Sequence, residues 1–262
     1  MAIHGRPQGA FLCCGVRVDA ITLDGAIERL RAFTEVGGGR AVHLCNAWTL
    51  AVARRDTALT GALNRGDLNL ADGTPLTWVG RRAGFPHMRR RVYGPDLFLA
   101  TTRAGRAWGL RHYLYGSTPK VAEALARRLA HLAPDAEVVG IESPPFRPLT
   151  ELEEAELVER VHRTRPDIVW VGLGTPLQDL FVDRFRDQLG ATLVAVGAAF
   201  DFLSGAKRQA PTWMQHSGLE WAFRLATEPR RLWRRYLIGN AVFLAGVARG
   251  VEVYEPLSEG GR

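Results

Sequence analysis

Only three cysteines occur in 262 residues, and none is placed to pair or to ligate a metal. Cys13 and Cys14 are adjacent, Cys45 stands alone and no C-x-x-C occurs, which excludes a disulfide scaffold and a zinc ribbon. The seven histidines fall in no H-E-x-x-H or H-x-H spacing. Three thiols without pairing logic fit a reducing cytoplasm. Lysine is nearly absent, with Lys120 and Lys207 the whole complement, so the positive charge is carried by arginine. Long apolar runs are missing too. Uncharged stretches such as Gln188–Phe200 and Tyr236–Ala248 reach 13 residues, short of the roughly 20 that span a bilayer. The apolar patch Phe11–Val16 follows Pro7, Gln8 and Gly9 and has no small-residue cleavage site after it. It reads as a first strand and not as a signal peptide.

What is present is a core-forming composition with an uneven charge. Apolar residues make up 47% of the chain, enough to exclude wholesale disorder, and the length suits one or two domains. The 34 basic and 27 acidic residues leave +7. Eight basic residues lie between Lys207 and Arg249 against Glu220 and Glu228 alone, so that stretch carries 8 − 2 = +6. A near-neutral body with a basic end suggests phosphate-bearing partners: nucleotide, nucleic acid or anionic membrane. A coding preference for arginine is the plain alternative.

Short apolar runs alternate with helical patterns, as in βαβ units with a mostly parallel sheet. Strands are expected at 16–21, 41–45, 68–71, 111–115, 137–141, 167–171 and 192–196. Helices are expected at 24–33, 48–55, 57–65, 76–83, 119–132, 151–165 and 176–189. Residues 84–94 read as a basic loop, and 211–249 as helical, aromatic and basic. The fold expected is α/β, a Rossmann-like, mostly parallel sheet flanked by helices, with a basic helical C-terminal appendage. A boundary near residue 206 would divide a catalytic body, 1–206, from a membrane-proximal appendage, 207–262.

Three strand ends carry loops of interest, because ligands of parallel sheets bind at the carboxyl ends of the strands. In LADGTPL, Asp72 ends a strand and Gly73 permits a tight turn. The carboxylate is a candidate general base, or simply an Asp-Gly turn residue, which spacing alone favours. In VGLGTPLQD, Gly172 and Gly174 precede a helix start whose N–H groups can face a phosphate, and Gln178 and Asp179 lie on its first turn. The string departs from G-x-G-x-x-G at Leu177, and a tight strand–helix turn explains it equally well. Gly197 after the last strand again allows close backbone approach, while Phe200 and Phe202 read as core. No two aspartates lie two positions apart, so no D-x-D metal clamp exists. A diphosphate leaving group would then need cations such as Arg91, Arg224, Arg231 and Arg234. Arg231, Arg234, Arg235 and Ile238 are spaced to share one helical face, amid Trp233, Tyr236, Leu237 and Phe243. That suits a membrane interface, or an ordinary basic helix packed on the body.

Five strings occur in order: LADGTPLTW, RVYGPDL, GLGTPLQD, GAAFDFLSG and GLEWAFRLATEPRRLWRRY. Together they resemble the WecG/TagA/CpsF family of bacterial glycosyltransferases. The resemblance implies a hexosyltransferase that moves an N-acetylmannosamine-like sugar from a UDP-sugar to a polyprenyl-diphosphate-linked saccharide. It implies inversion, no cofactor, and work on the cytoplasmic face of the membrane in making cell-surface polysaccharide such as teichoic acid. By the same resemblance Asp72 is the base, Asn46 the polar residue facing it and Arg91 a further catalytic residue. Gln178 corresponds to the glutamine of the family's P-x-Q-E, and Arg224, Arg231 and Arg234 close over the diphosphate. Leu44 and Gln209 depart from the family pattern, at places where some members carry threonine and arginine.

The partners expected are a nucleotide-sugar donor, a lipid-linked saccharide acceptor and an anionic membrane surface, without nucleic acid; self-association is left open. Two rivals come from other classes. A nucleic-acid-binding module would account for the basic end and would bind in a steeply salt-dependent way. A dinucleotide oxidoreductase is opposed by the broken glycine pattern and by the want of an acidic residue about twenty positions on.

Overall fold

The computed structural model describes residues 9–254. The chain opens with a hairpin, β1 (Ala10–Cys13) and β2 (Val16–Asp19), followed by α1 (Leu23–Val36). Then come β3 (Arg40–Cys45), α2 (Ala47–Ala53), α3 (Thr57–Arg65), β4 (Leu68–Ala71), α4 (Thr74–Arg82) and α5 (Gly94–Gly105). Three further units follow: β5 (Arg111–Gly116) with α6 (Pro119–Leu132), β6 (Glu137–Glu142) with α7 (Glu151–Thr164), and β7 (Ile168–Gly172) with α8 (Leu177–Leu189). The last central strand, β8 (Thr192–Ala195), leads to α9 (Ala199–Leu203), α10 (Thr212–Ser217), α11 (Glu220–Thr227), α12 (Pro229–Ala248) and β9 (Glu252–Tyr254).

Six strands form one parallel sheet in the order β4-β3-β8-β7-β5-β6. Strand periodicity sends alternate side chains to opposite faces. In β7, Ile168 and Trp170 enter one apolar layer with Phe98, Leu114 and Val194, while Val169 and Val171 enter another with Tyr115, Phe185 and Leu193. Both faces are therefore covered, as an all-parallel sheet requires. The fold is the α/β architecture read from the pattern.

One element is not anticipated by the sequence, and one expectation needs correction. The stretch after the basic loop is helical: α5 starts at Gly94 with Pro95 in its first turn and buries Leu97, Phe98, Thr101 and Thr102. The N-terminal segment is not one strand but a two-residue hairpin, with Cys13 opposite Val16. Cys14 (φ 55°) and Gly15 (φ 80°) both take the left-handed conformation that such a turn demands. Usually Asn-Gly or Asp-Gly announces this turn; Cys-Gly does not.

Residues beyond 206 pack closely on the rest. Helix α12 lies along α2, and its Phe243 is 3% exposed in a cluster with Phe11, Leu50 and Leu76. Strand β9 pairs with β1, making the third strand of a small antiparallel sheet.

Candidate functional site

A cavity of about 660 Å³ opens along the carboxyl edge of the sheet. Residues following β4 (Asp72, Gly73), β3 (Asn46), β8 (Gly197), β7 (Leu173 to Thr175) and β5 (Ser117) line it. This is the crevice that parallel topology leaves for ligands. Helices α11 and α12 close it from above with Glu220, Arg224, Arg231, Arg235 and Tyr236.

Asp72 is held by backbone on both sides. Its N–H donates to the Cys45 carbonyl at 2.8 Å, and its Oδ1 accepts from the Gly94 N–H at 3.0 Å. Asn46 caps α2, its Oδ1 accepting from the N–H groups of Trp48 (3.1 Å) and Thr49 (3.2 Å). The Asn46 side chain stands beside the Asp72 carboxylate and favours its ionised form. Gly73 permits this proximity, since a Cβ there would stand 3.1 Å from the Asn46 Cβ. Burial pushes the Asp72 carboxyl up to about 6, against the pull of Arg91, the Gly94 N–H and Asn46. The nearby Glu220 charge adds to the rise. A carboxylate in that range accepts a proton near neutral pH and is mostly ionised there.

Arg91 is bound to the buried Glu220 carboxylate that opens α11. It also donates to the Asp72 carbonyl at 3.4 Å and lies 4.0 Å from the centre of the Tyr93 ring. The Tyr93 hydroxyl reaches Glu220 at 3.5 Å. One arginine thus ties the floor of the cavity to the helical lid. Neither Glu220 nor Tyr93 was singled out from the sequence, where Glu220 is merely one of two acids in a basic stretch.

On the opposite wall, Gly174 (φ 79°) and Gly197 (φ 55°) are left-handed, and a Cβ on Gly172 would meet the Phe200 ring at 2.9 Å. Gln178 is 3% exposed and closes its own loop, its Oε1 accepting from the Gly174 N–H at 2.9 Å. Asp179 lies below the wall and outside the cavity lining. It meets His43 Nδ1 at 3.0 Å within the core and accepts from the hydroxyl of Thr175, a cavity-lining residue, at 2.9 Å. Its observed contacts hold the loop.

The tail arginines divide. Arg224 lies over the Phe202 ring at 5.5 Å, and its buried Nε finds no partner among the described residues. Arg231 pairs with Glu228 at 2.6 Å, beside Lys207, which pairs with Asp201 at 2.8 Å. Arg224, Arg231, Lys207 and Asp201 all line the cavity; Arg234 does not. Arg234 is exposed and rests against the Trp233 ring at 5.1 Å. The neighbour Arg235 turns inward instead, 5.6 Å from the Trp48 ring, with a buried, unpartnered Nε. Burial and the charge of Arg224 lower its guanidinium to about 10. Spacing already allowed this, since Arg231 and Arg235 stand four residues apart on one helical stripe. Of the two departures, Leu44 forms part of the cavity wall, whereas Gln209 is exposed and outside it.

Fold and crevice define the class: a parallel α/β protein, helices on both faces, with its ligand cavity at the carboxyl edge of the sheet. The chain belongs to the glycosyl transferase WecG/TagA/CpsF family, whose sequence profile matches residues 11–252, and it is a glycosyltransferase. It is similar to the N-acetylglucosaminyldiphosphoundecaprenol N-acetyl-beta-D-mannosaminyltransferase of Bacillus spizizenii, at 29% identity over 71% of this chain and 70% of that one. The protein of the same name from Bacillus subtilis is 26% identical over 76% of this chain and 75% of its own. Among the described residues, no helix is long and apolar enough to cross a membrane. Nor do three or more His, Cys, Asp or Glu side chains cluster there as metal ligands would.

Proposed function

We propose that the protein moves an N-acetylmannosamine-like sugar from a UDP-sugar to a polyprenyl-diphosphate-linked saccharide, with inversion and without a metal ion. The observation that carries this is Asp72, a carboxyl that burial pushes up to about 6, lining one cavity with Arg224, Arg231 and Lys207. The relatives' names supply the acceptor class and a beta-linked product. Asp72 takes the proton of an acceptor hydroxyl, and the oxygen attacks the anomeric carbon. The bond from that carbon to the diphosphate oxygen breaks, and the leaving diphosphate keeps the electron pair. Attack opposite the leaving group inverts the centre. Arg224 and Arg231 meet the charge that develops on the diphosphate, in the role a metal fills elsewhere. The direct test incubates the protein with a panel of nucleotide-sugars and a prenyl-diphosphate saccharide and reads product mass. Absence of any transfer product would overturn the reading.

Two results are expected of the leaving-group side. Arg231→Ala lowers kcat by about a hundredfold even with a water-soluble short-chain acceptor, the usual effect of removing one charge-stabilising donor. An unchanged kcat would place the leaving group elsewhere. Turnover also survives exhaustive chelation by EDTA; a loss that Mg²⁺ or Mn²⁺ restores would refute the cationic clamp.

The same reading places the protein on the inner face of the cell membrane. Trp213, Trp221, Trp233, Leu237 and Leu244 are exposed on α10 to α12, interleaved with the arginines of the basic stretch. Aromatic side chains suit the interface, and each arginine near an anionic surface contributes about 1 kcal/mol. Co-sedimentation with anionic but not neutral vesicles is the corresponding measurement.

A further inference from the structure

The cavity is not uniform along its length. Beside the loops that follow β7 and β8, Lys207, Arg224 and Arg231 line the cavity together with Phe200 and Phe202. The part lined by Trp48 of α2, Trp78 and Val79 of α4, and Phe243, Leu244 and Val247 of α12 is apolar. Val79, Phe243 and Val247 belong to one packed apolar cluster, so this wall is the surface of a formed core. Trp78 (58%) and Leu244 (63%) are exposed where it meets solvent. A nucleotide-sugar has no use for such a wall beyond one base. A prenyl diphosphate does.

The sheet order sets the sequence of the parts. Asp72 follows the edge strand β4 and Asn46 follows its neighbour β3, while the glycine loops follow β8 and β7. Asp72 and Asn46 therefore lie on the β4–β3 side of the cavity, immediately before the helices α4 and α2 of the apolar wall, and the glycine loops lie on the β8–β7 side. Arg235 sits at the junction, its guanidinium against Trp48 and its Nε without a partner. Arg231 is instead paired with Glu228, while Arg224, its Nε also without a partner, lies over Phe202.

We propose that the cavity has two diphosphate seats, and that Arg235 with the Trp48–Val79–Leu244 wall forms the acceptor's, binding its diphosphate and first isoprene units. This rests on the lipid-linked acceptor of the function proposed above. An acceptor saccharide extending from this seat reaches Asp72, with the donor diphosphate beyond it under Arg224 and Arg231. Given the lipid-linked acceptor of the proposed function, the continuity of a cationic group with an apolar wall commits the seat to a prenyl diphosphate.

Farnesyl diphosphate, inorganic diphosphate and UDP are the probes, and calorimetric binding to the full-length protein is the readout. Farnesyl diphosphate binds at least about tenfold more tightly than inorganic diphosphate, because the wall removes its apolar surface from water. Leu244→Ser and Trp78→Ala, both at exposed positions, abolish that difference and leave inorganic diphosphate binding unchanged. With UDP saturating the donor seat, Arg235→Gln weakens both diphosphates. UDP and farnesyl diphosphate bind together without competing. Mutual exclusion would mean one shared seat and overturn the proposal. So would a loss of UDP affinity in Trp78→Ala, which would make the wall a base platform. If farnesyl diphosphate behaves as stated and no sugar is transferred, the transfer reading fails while the seat stands.

Discussion

Asp72→Asn removes turnover while nucleotide binding persists. The amide keeps the shape and can still accept from the Gly94 N–H, but it cannot take the acceptor proton. General-base catalysis contributes roughly 10²–10⁴-fold, so retention of more than about a tenth of the wild-type rate would exclude the role. The pH dependence follows from the same carboxyl. Burial places its midpoint at about 6, so kcat/KM rises as pH climbs through that value and levels off above it. In Asp72→Asn the residual rate lacks this limb. Stability moves in the opposite direction. The folded value lies above the ordinary 3.8, so the protonated carboxyl favours the fold below about pH 4, and this contribution is lost as pH rises through 6. Above pH 7 the ionised carboxylate costs stability, on the order of 1–2 kcal/mol once cavity water is allowed for. Asp72→Asn therefore melts higher than wild type at pH 8, and the gap closes towards pH 4. A lower Tm at pH 8 would mean that the carboxylate is structurally required.

How far the sequence announces this site depends on the range of the forces involved. Strand β4 and helices α3 and α6 fall on the residues that periodicity indicates, because alternation and N-caps such as Asp56 and Thr118 are local. Asp72 is legible for the same reason, as the residue at which a strand stops. Helix α5 is hidden behind a basic loop, and its Gly94-Pro95 start resembles a turn until Leu97 and Phe98 are seen to fill the core under Trp170. Strand β9 is invisible from its own three residues, since Glu252 is matched only by Leu12, at the other end of the chain. That Arg235 and not Arg234 lines the cavity has a similar cause. Both belong to a basic helix, and only the seat of α12 against α2 decides which one faces Trp48. Spacing reveals a face; packing chooses its direction.

The second large effect lies where the lid meets the floor. Arg91→Met destabilises the protein by about 3–5 kcal/mol, because it leaves Glu220, 6% exposed, as a buried charge without its cation. Glu220→Gln has a smaller cost, since Arg91 retains the Asp72 carbonyl and the Tyr93 ring. The double variant recovers most of the stability, because removing both members of a buried pair is nearly neutral where removing one is not. Urea unfolding of the four proteins gives the coupling directly. Turnover does not follow stability. Arg91 holds the Asp72 carbonyl and lowers its carboxyl, so the double variant stays at least about tenfold slow even where it is fully folded. Its kcat/KM profile keeps the Asp72 limb at an altered midpoint, since both the Arg91 and the Glu220 charges act on that carboxyl. Recovery of turnover together with stability would reduce Arg91 to a strut. An Arg91→Met protein with an unchanged unfolding midpoint would show that Glu220 is not held by this pair, and that the lid α11–α12 closes by its apolar contacts alone.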